Sequence, residues 1–449
     1  MARVPLLERL GLHRPELRAW AMYDWANSAF WATIILIFPI YFIKVAAQGV
    51  SVAVATTRFA TATTIAMTII ALLSPILGAI ADYAGLKKVM LGTFVGIGVA
   101  ATAGMFFIHR GEWRLAAALF IVGNIGVSGA QAFYDSLLPH VAREDEVDRV
   151  SSAGFALGYL GSGILMAVNL LVIQKPGLFG LADAEAAMRV SFLSVAVWWL
   201  VFSIPLFRTI PEPPRQLEAD ESERQNPVAV GFTRLLETLR ELRRYRQAFL
   251  VLIAFLIYND GINTFIRMGS AYGTELGLSD GTLIGSLLAV QFIGIPCAFL
   301  FGMLAGRIGA KRGILLGLAV YVVASIAAYS VTTGGQYLAL CLLVGTVMGG
   351  TQALSRSLFS TMIPRHKSSE FFGFFGVFDK FAGIIGPALF GAVIAATGSA
   401  RGAILVLLPL FLIGGALLLA VKVVPGQQAA REAEARAGLR EAGASRSSA

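Results

Sequence analysis

Charge is scarce in this chain. Only 14% of its 449 residues are Asp, Glu, Lys or Arg, against roughly 25% in soluble domains. Hydrophobic residues make up 57%, and the mean hydropathy is +0.73. A soluble fold of this length needs more polar surface to cover its core, so a lipid bilayer is the solvent that fits. Cysteine is scarcer still. Cys297 and Cys341 both sit inside apolar runs, which supports neither a disulfide framework nor a zinc site. His13, His109, His140 and His366 are scattered near expected helix ends and read as boundary residues, not metal ligands. The chain has no phosphate-binding loop or paired-acid metal motif, which argues against a membrane enzyme and against ATP-driven transport. The first 19 residues are polar and lack the apolar centre of a cleavable signal.

Long apolar runs are abundant instead. Stretches near the 20-residue length that spans hydrocarbon fall at 20–44, 58–81, 89–108, 115–139, 150–174 and 189–207. They resume at 248–268, 281–305, 313–332, 337–362, 371–397 and 402–423. The expected fold is all-α and integral to the membrane, with twelve spans in two six-helix bundles, 1–208 and 247–424. Between them, 209–246 begins Pro-rich and charged. It ends in Phe232, Leu235, Leu236, Leu239 and Leu242 at helical spacing, either an amphipathic helix on the inner leaflet or an extension of the seventh helix. The tail, 425–449, is rich in Ala, Glu, Arg and Ser and is expected to be disordered.

The net charge of +9 has a membrane explanation and does not point to nucleic acid. Basic residues collect at both termini, in the central linker and in the loops on that same side, including Lys87, Lys88, Arg143, Arg149, Arg307, Lys311, Arg312, Arg365 and Lys367. The opposite side has few. This asymmetry assigns both termini to the cytoplasm and the chain to the cell membrane.

The two halves repeat each other. Gly78–Lys88 (GAIADYAGLKK) aligns with Gly302–Arg312 (GMLAGRIGAKR), matching the glycines and the basic pair. Gly129–Leu137 (GAQAFYDSL) aligns with Gly350–Leu358 (GTQALSRSL). Gly158 and Gly161 match Gly383 and Gly386, and Tyr23 and Phe30 match Tyr258 and Phe265. Parallel repeats of this kind are the signature of the major facilitator fold.

The loop motif resembles the one that the major facilitator superfamily carries between its second and third helices. The matching residues are Gly78, Asp82, Gly85, Lys87 and Lys88, with a weaker second copy at Gly302, Gly306, Arg307, Gly309, Lys311 and Arg312. The resemblance implies a latch between the halves in the outward-open state. Tyr83 stands where a basic residue is usual, and Gly306 replaces the acid in the second copy, so the latch is expected to rest on the first copy. Tyr23–Phe30 (YDWANSAF) and Tyr258–Ile262 (YNDGI) resemble the UMF1 family, the branch that includes the vacuolar effluxers of the Atg22 type. That resemblance covers both halves and implies export of small solutes, with amino acids best supported for the vacuolar members. The composition leans bacterial, so the substrate does not carry over directly.

Ionisable residues inside spans cost roughly 2.5–3.5 kcal/mol each on the insertion scale and need a partner or a function. Asp24, Asp135, Asp260, Arg267, Arg356, Asp379 and Lys380 are such residues, and five of them fall on helices one, four, seven and ten. The major facilitator arrangement turns those helices to a central cavity. Asp24 and Asn27, beside Tyr23, share a face. There Asp24 either binds an ammonium group or carries a proton, or it bonds a neighbouring helix at the cytoplasmic end. Asp135, next to Tyr134, and Arg356 are repeat equivalents: they are expected either to approach each other, directly or through solute, as a cytoplasmic gate, or to make separate intrahelical or interfacial contacts. Gln131 and Gln352 are candidate solute donors or packing contacts. Asn259, Asp260 and Asn263, around a bend permitted by Gly261, could coordinate solute, with Asp260 as the candidate proton carrier. Asp379 and Lys380 are adjacent and are expected to bond neighbouring helices in preference to each other. The reading is a monomeric secondary transporter of a small solute, with no cofactor and a proton as candidate coupling ion. A drug or sugar transporter of the same fold, or a non-transporting sensor, remains the alternative.

Overall fold

A computed structural model describes residues 5–215, 233, 245–397 and 400–447. Among them, twelve helices are long and apolar enough to cross a membrane. The first six are α1 (Pro15–Ala46), α2 (Val52–Ala84), α3 (Lys87–Phe107), α4 (Trp113–Val141), α5 (Val147–Gln174) and α6 (Ala184–Thr209). The second six are α7 (Arg246–Gly269), α8 (Gly285–Ile308), α9 (Ala310–Tyr329), α10 (Gly334–Ser360), α11 (Arg365–Ala396) and α12 (Gly402–Ala420). Helix is the form in which a single segment satisfies its own backbone in lipid. Local chemistry sets the ends. Ser51 caps α2, Asp183 caps α6, and Thr333 with Gln336 forms a capping box on α10. Gly85, at φ 65°, takes the left-handed turn that ends α2.

Buried apolar side chains form two separate clusters, one from residues up to Ile210 and one from Tyr245 onward. The halves meet along two seams, α2 against α11 and α5 against α8. Each seam has a repeat-matched glycine in close contact with the other half. A Cβ on Gly78 would lie 2.6 Å from the carbonyl carbon of Ser369, and one on Gly302 would lie 2.7 Å from Cβ of Ser152. Small residues allow this approach.

Several elements depart from the sequence-based expectation. α1 contains two π-helical turns, Phe30–Ile34 and Phe42–Ala46. α7 runs unbroken through Gly261, because that glycine packs against the Phe411 ring, where a Cβ would come within 2.7 Å. The irregularity lies on α11. It consists of a lower segment (Ser368–Phe381) and an upper segment (Ile385–Thr397), with Gly383 at φ 113° between them. The tail, expected to be disordered, is a helix, α13 (Val423–Ser447). Ala, Glu and Arg are strong helix formers, and Ala430, Ala433 and Ala437 are buried. Around this apolar stripe, Arg431 pairs with Glu144 and Glu434 accepts the backbone N–H of Arg365 at 2.8 Å. The expected amphipathic linker helix lies outside the described residues.

Candidate functional site

Between the halves lies a cavity of about 450 Å³. Its floor is built around Arg356 on α10, which is 2% exposed. Nη1 donates to Asp135 Oδ1 on α4 at 3.0 Å, and Nη2 donates to Asp24 Oδ2 on α1 at 3.1 Å. Nε donates to Ser151 Oγ at 2.9 Å, and Nη2 also to the Ser151 carbonyl at 2.9 Å. A guanidinium taken out of water needs this degree of satisfaction. Its planar face lies over Trp20, with the cation 4.7 Å from the ring centre. The two carboxylates are themselves held. Tyr134 Oη donates to Asp24 at 2.9 Å. Gln131 Nε2 donates to both oxygens of Asp135 at 3.0 Å, and its Oε1 accepts from Asn27 Nδ2 at 2.7 Å.

Asp135 and Arg356, expected from the repeat to meet, do so in the structure, and Asp24 joins them as a second counterion. Tyr23 is not on the cavity wall. It is buried and packs at a tilt against Tyr134, ring centres 4.6 Å apart. Its repeat partner Tyr258 shares a hydrogen bond of 2.6 Å with Ser355, the repeat equivalent of Tyr134. Both tyrosines join the first helix of a half to the fourth.

Above the floor the walls carry both charges. Asn27, Gln131 and Trp31 come from one half, and Asn263, Arg267, Gln352, Asp379 and Lys380 from the other. The first π-helical turn of α1 carries Trp31 to the wall, a position where such turns recur in functional sites. Lys380 Nζ lies 4.4 Å from the centre of the Trp31 ring, a contact across the halves. It also lies 3.4 Å from Asp379 Oδ2, so the adjacent pair do bond each other, contrary to expectation. The other oxygen of Asp379 accepts from Asn259 Nδ2 at 3.0 Å. Trp31 was missed because nothing in a single aromatic within an apolar run marks it as cavity-facing. Arg267 carried a signal, its charge within a span.

Asp260 is not on the cavity wall. It is 1% exposed and accepts the backbone N–H of Gly383 at 2.6 Å and of Gly386 at 2.9 Å, at the break in α11. Asn263 Nδ2 donates to the Ala382 carbonyl at 3.3 Å. The Asn259–Asp260–Asn263 cluster therefore grips α11.

Below the floor, the side carrying both chain ends is shut. Asp82 accepts from the backbone N–H groups of Ser369 (3.2 Å) and Glu370 (2.8 Å) at the start of α11, and from Lys87 Nζ at 2.5 Å. Lys87 also donates to Ser368 Oγ at 2.6 Å. Ser357 donates to Asp148 at 2.5 Å and Ser151 to the Ala353 carbonyl at 2.7 Å. The second motif copy acts within its own half. Lys311 Nζ donates to the carbonyls of Leu419 and Val421 at 2.8 Å each. Lys88 Nζ does the same to Ile210 at 2.6 Å. Where the loop motif lacks a basic residue, at Tyr83, Arg215 lays its guanidinium 4.6 Å from the ring centre and donates to the Tyr83 carbonyl at 2.6 Å.

The family model described as vacuole effluxer Atg22 like matches residues 13–431. The chain belongs to this family. It is 38% identical over 409 residues to the uncharacterized MFS-type transporter YxiO of Bacillus subtilis, covering 89% of this chain and 93% of that one. It is 28% identical over 314 residues to autophagy-related protein 22 of Yarrowia lipolytica, covering 64% and 52%. Among solved structures it resembles the proton:xylose symporter XylE (TM-score 0.68, 14% identity, 95% and 98% covered). It also resembles FucP in the outward conformation (TM-score 0.68, 14% identity, 92% and 99% covered). These likenesses show the major facilitator fold. An Atg22-like chain of this fold is an MFS-type transporter and a multi-pass integral membrane protein.

Proposed function

We propose that this Atg22-like transporter exports small zwitterionic solutes of the amino-acid class from the cell by alternating access, coupled to protons. The arrangement of charge around the cavity carries the reading. At the floor, two carboxylates surround one guanidinium and leave a net negative charge. On the wall above, Arg267 and Lys380 outnumber Asp379. A solute with an ammonium at one end and a carboxylate at the other complements that gradient, whereas a neutral sugar leaves it uncompensated. The Asn and Gln side chains between supply the polar contacts that fix orientation.

Proton coupling is supported by the floor itself. Either Asp24 or Asp135 can take a proton while the other keeps Arg356 paired. Loading therefore weakens the bond between the halves without stranding a buried charge. The distribution of basic residues supports cytoplasmic termini in the cell membrane, which makes the closed side cytoplasmic and the state outward-facing. The description of the family as effluxers supports the direction.

The test is a thermal-shift screen of the purified chain against amino acids, short peptides, sugars and nucleosides. Efflux of any stabilising amino acid from proteoliposomes, with and without a pH gradient, follows. Stabilisation by neutral sugars or nucleosides alone ends the zwitterion reading. Flux indifferent to the gradient ends the coupling.

A further inference from the structure

The repeat makes α5 and α11 equivalent, and the two helices differ at one place. Gly158 and Gly161 lie in an α5 that is continuous from Val147 to Gln174. Their mates, Gly383 and Gly386, flank the start of the upper segment of a broken α11. The glycines pack alike. A Cβ on Gly161 would meet the Trp25 carbonyl oxygen of α1 at 2.8 Å, and one on its mate Gly386 would meet the Asp260 carbonyl oxygen of α7 at 3.2 Å. What differs is the facing side chain. Counting from the Tyr23–Tyr258 match, Trp25 and Asp260 hold the same position. The Trp25 ring lies against Gly161 and stacks on Trp198, ring centres 5.5 Å apart. It offers no acceptor to the α5 backbone. Asp260 offers a carboxylate, and two N–H groups of α11 leave the helical pattern to meet it.

We infer that Asp260 is a positioning residue: its carboxylate holds α11 broken at Gly383, and the break sets Asp379 and Lys380 on the cavity wall and serves as the joint between the two segments of α11. The physical argument is an exchange of acceptors. In a continuous helix the N–H groups of Gly383 and Gly386 bond the carbonyls four residues earlier. Here a buried carboxylate replaces them, and charge-assisted bonds are about twice as strong as neutral ones. Gly383 takes the φ of 113° that the break requires, a value other residues reach only under strain. Asn263 and Asn259 complete the grip, one on the Ala382 carbonyl and one on Asp379. Without the carboxylate, helical closure is the cheapest way to satisfy both amides. Closure rotates the residues before the break relative to those after it and turns Lys380 from the wall.

The inference uses the cavity of the proposed function, but its test needs no solute. In the full chain carrying Cys297→Ser and Cys341→Ser, a thiol is placed by Lys380→Cys, or as control on the opposite wall by Met67→Cys. Each is labelled with a membrane-impermeant, positively charged methanethiosulfonate. Asp260→Asn is expected to slow labelling at 380 about tenfold by emptying the wall-facing state, and at 67 by less than about twofold. Gly383→Ala, which leaves the carboxylate in place but disfavours the broken backbone, is expected to slow labelling at 380 in the same way. Asp260→Glu, which keeps the charge, is expected to recover part of the rate. Unchanged labelling at 380 in folded Asp260→Asn or Gly383→Ala protein overturns the inference, as does equal slowing at 67. Should Asp260→Asn fail to fold, Gly383→Ala decides alone. A failed solute screen beside slowed labelling at 380 refutes the zwitterion reading and leaves the joint standing.

Discussion

Arg356 Nη2 lies 3.1 Å from Asp24 Oδ2 although the two residues are 332 positions apart and belong to opposite halves. The same guanidinium holds Asp135, so its loss and the loss of one carboxylate are unequal events. Arg356→Gln strands two buried carboxylates and is expected to destabilise by about 3–5 kcal/mol, the usual cost of breaking a buried pair. Asp135→Asn leaves Asp24 as counterion and is expected to cost less than about 2 kcal/mol. Thermal unfolding of the two purified variants compares them, and equal losses would contradict the bridged arrangement.

Reversing the pair probes the same contact from the side of flux. Asp135→Arg alone sets two guanidiniums against Asp24 and is expected to abolish transport. Adding Arg356→Asp restores one cation between two acids and is expected to recover part of it. A well-expressed double variant with no recovery would show that the positions are not interchangeable.

The Asp82 carboxylate closes the seam at the start of α11, where a helix dipole adds to the charge of Lys87. Asp82→Asn keeps the shape and removes the charge. It is expected to weaken closure by about 1–2 kcal/mol, a factor of roughly 5–30 in population. A thiol from Ser136→Cys, buried beneath that seam, reports the change as faster labelling from the terminal side. An unaltered rate would mean that the latch resides elsewhere.

Bulk at the second seam should act in the same direction. Gly302→Val places atoms inside the space of Ser152 and Arg149, whose Cα would lie 3.2 Å from the new Cβ. The α5–α8 seam then cannot close, and the Ser136→Cys thiol should again label faster. Gly306→Val, with nothing within 4 Å of its Cβ, is the internal control and should leave labelling unchanged.

The exposed pair between Arg431 and Glu144, at 61% and 48% side-chain exposure, is a different matter. Surface pairs contribute about 0–1 kcal/mol and fade in salt. Arg431→Ala is therefore expected to leave α13 docked, with any gain in proteolytic nicking of the tail confined to low ionic strength. Wholesale release of α13 would assign the docking to that pair in place of the buried alanines.

Much of this was legible from sequence because lipid imposes a length and a hydropathy that few soluble segments meet. The repeat did more. It put Asp135 and Arg356 at one equivalent position on cavity helices, and equivalent positions close to a two-fold axis face each other across it. Asp24 had no such guide, since its repeat mate is Asn259, and its place beside Arg356 depends on how α1 packs on α5. The broken α11 was illegible for a similar reason. Gly383 reads like Gly158, which sits in a straight helix, and the residue that distinguishes them, Asp260, lies on another span. The tail was misread because a composition poor in apolar residues suggests disorder, while its alanines form a stripe only once helical.

Lys88 and Lys311 carry the remaining consequence. Each ties the hairpin between the second and third helices of its half to the carbonyl end of the sixth, at Ile210 in one half and at Leu419 and Val421 in the other. Each bundle thus has its first inner hairpin tied to the end of its last helix. Strain applied at the cavity cannot leak away as fraying of helix ends. It has to travel through the seams, so the rate of turnover should be set by seam friction and not by any softening of the bundles themselves.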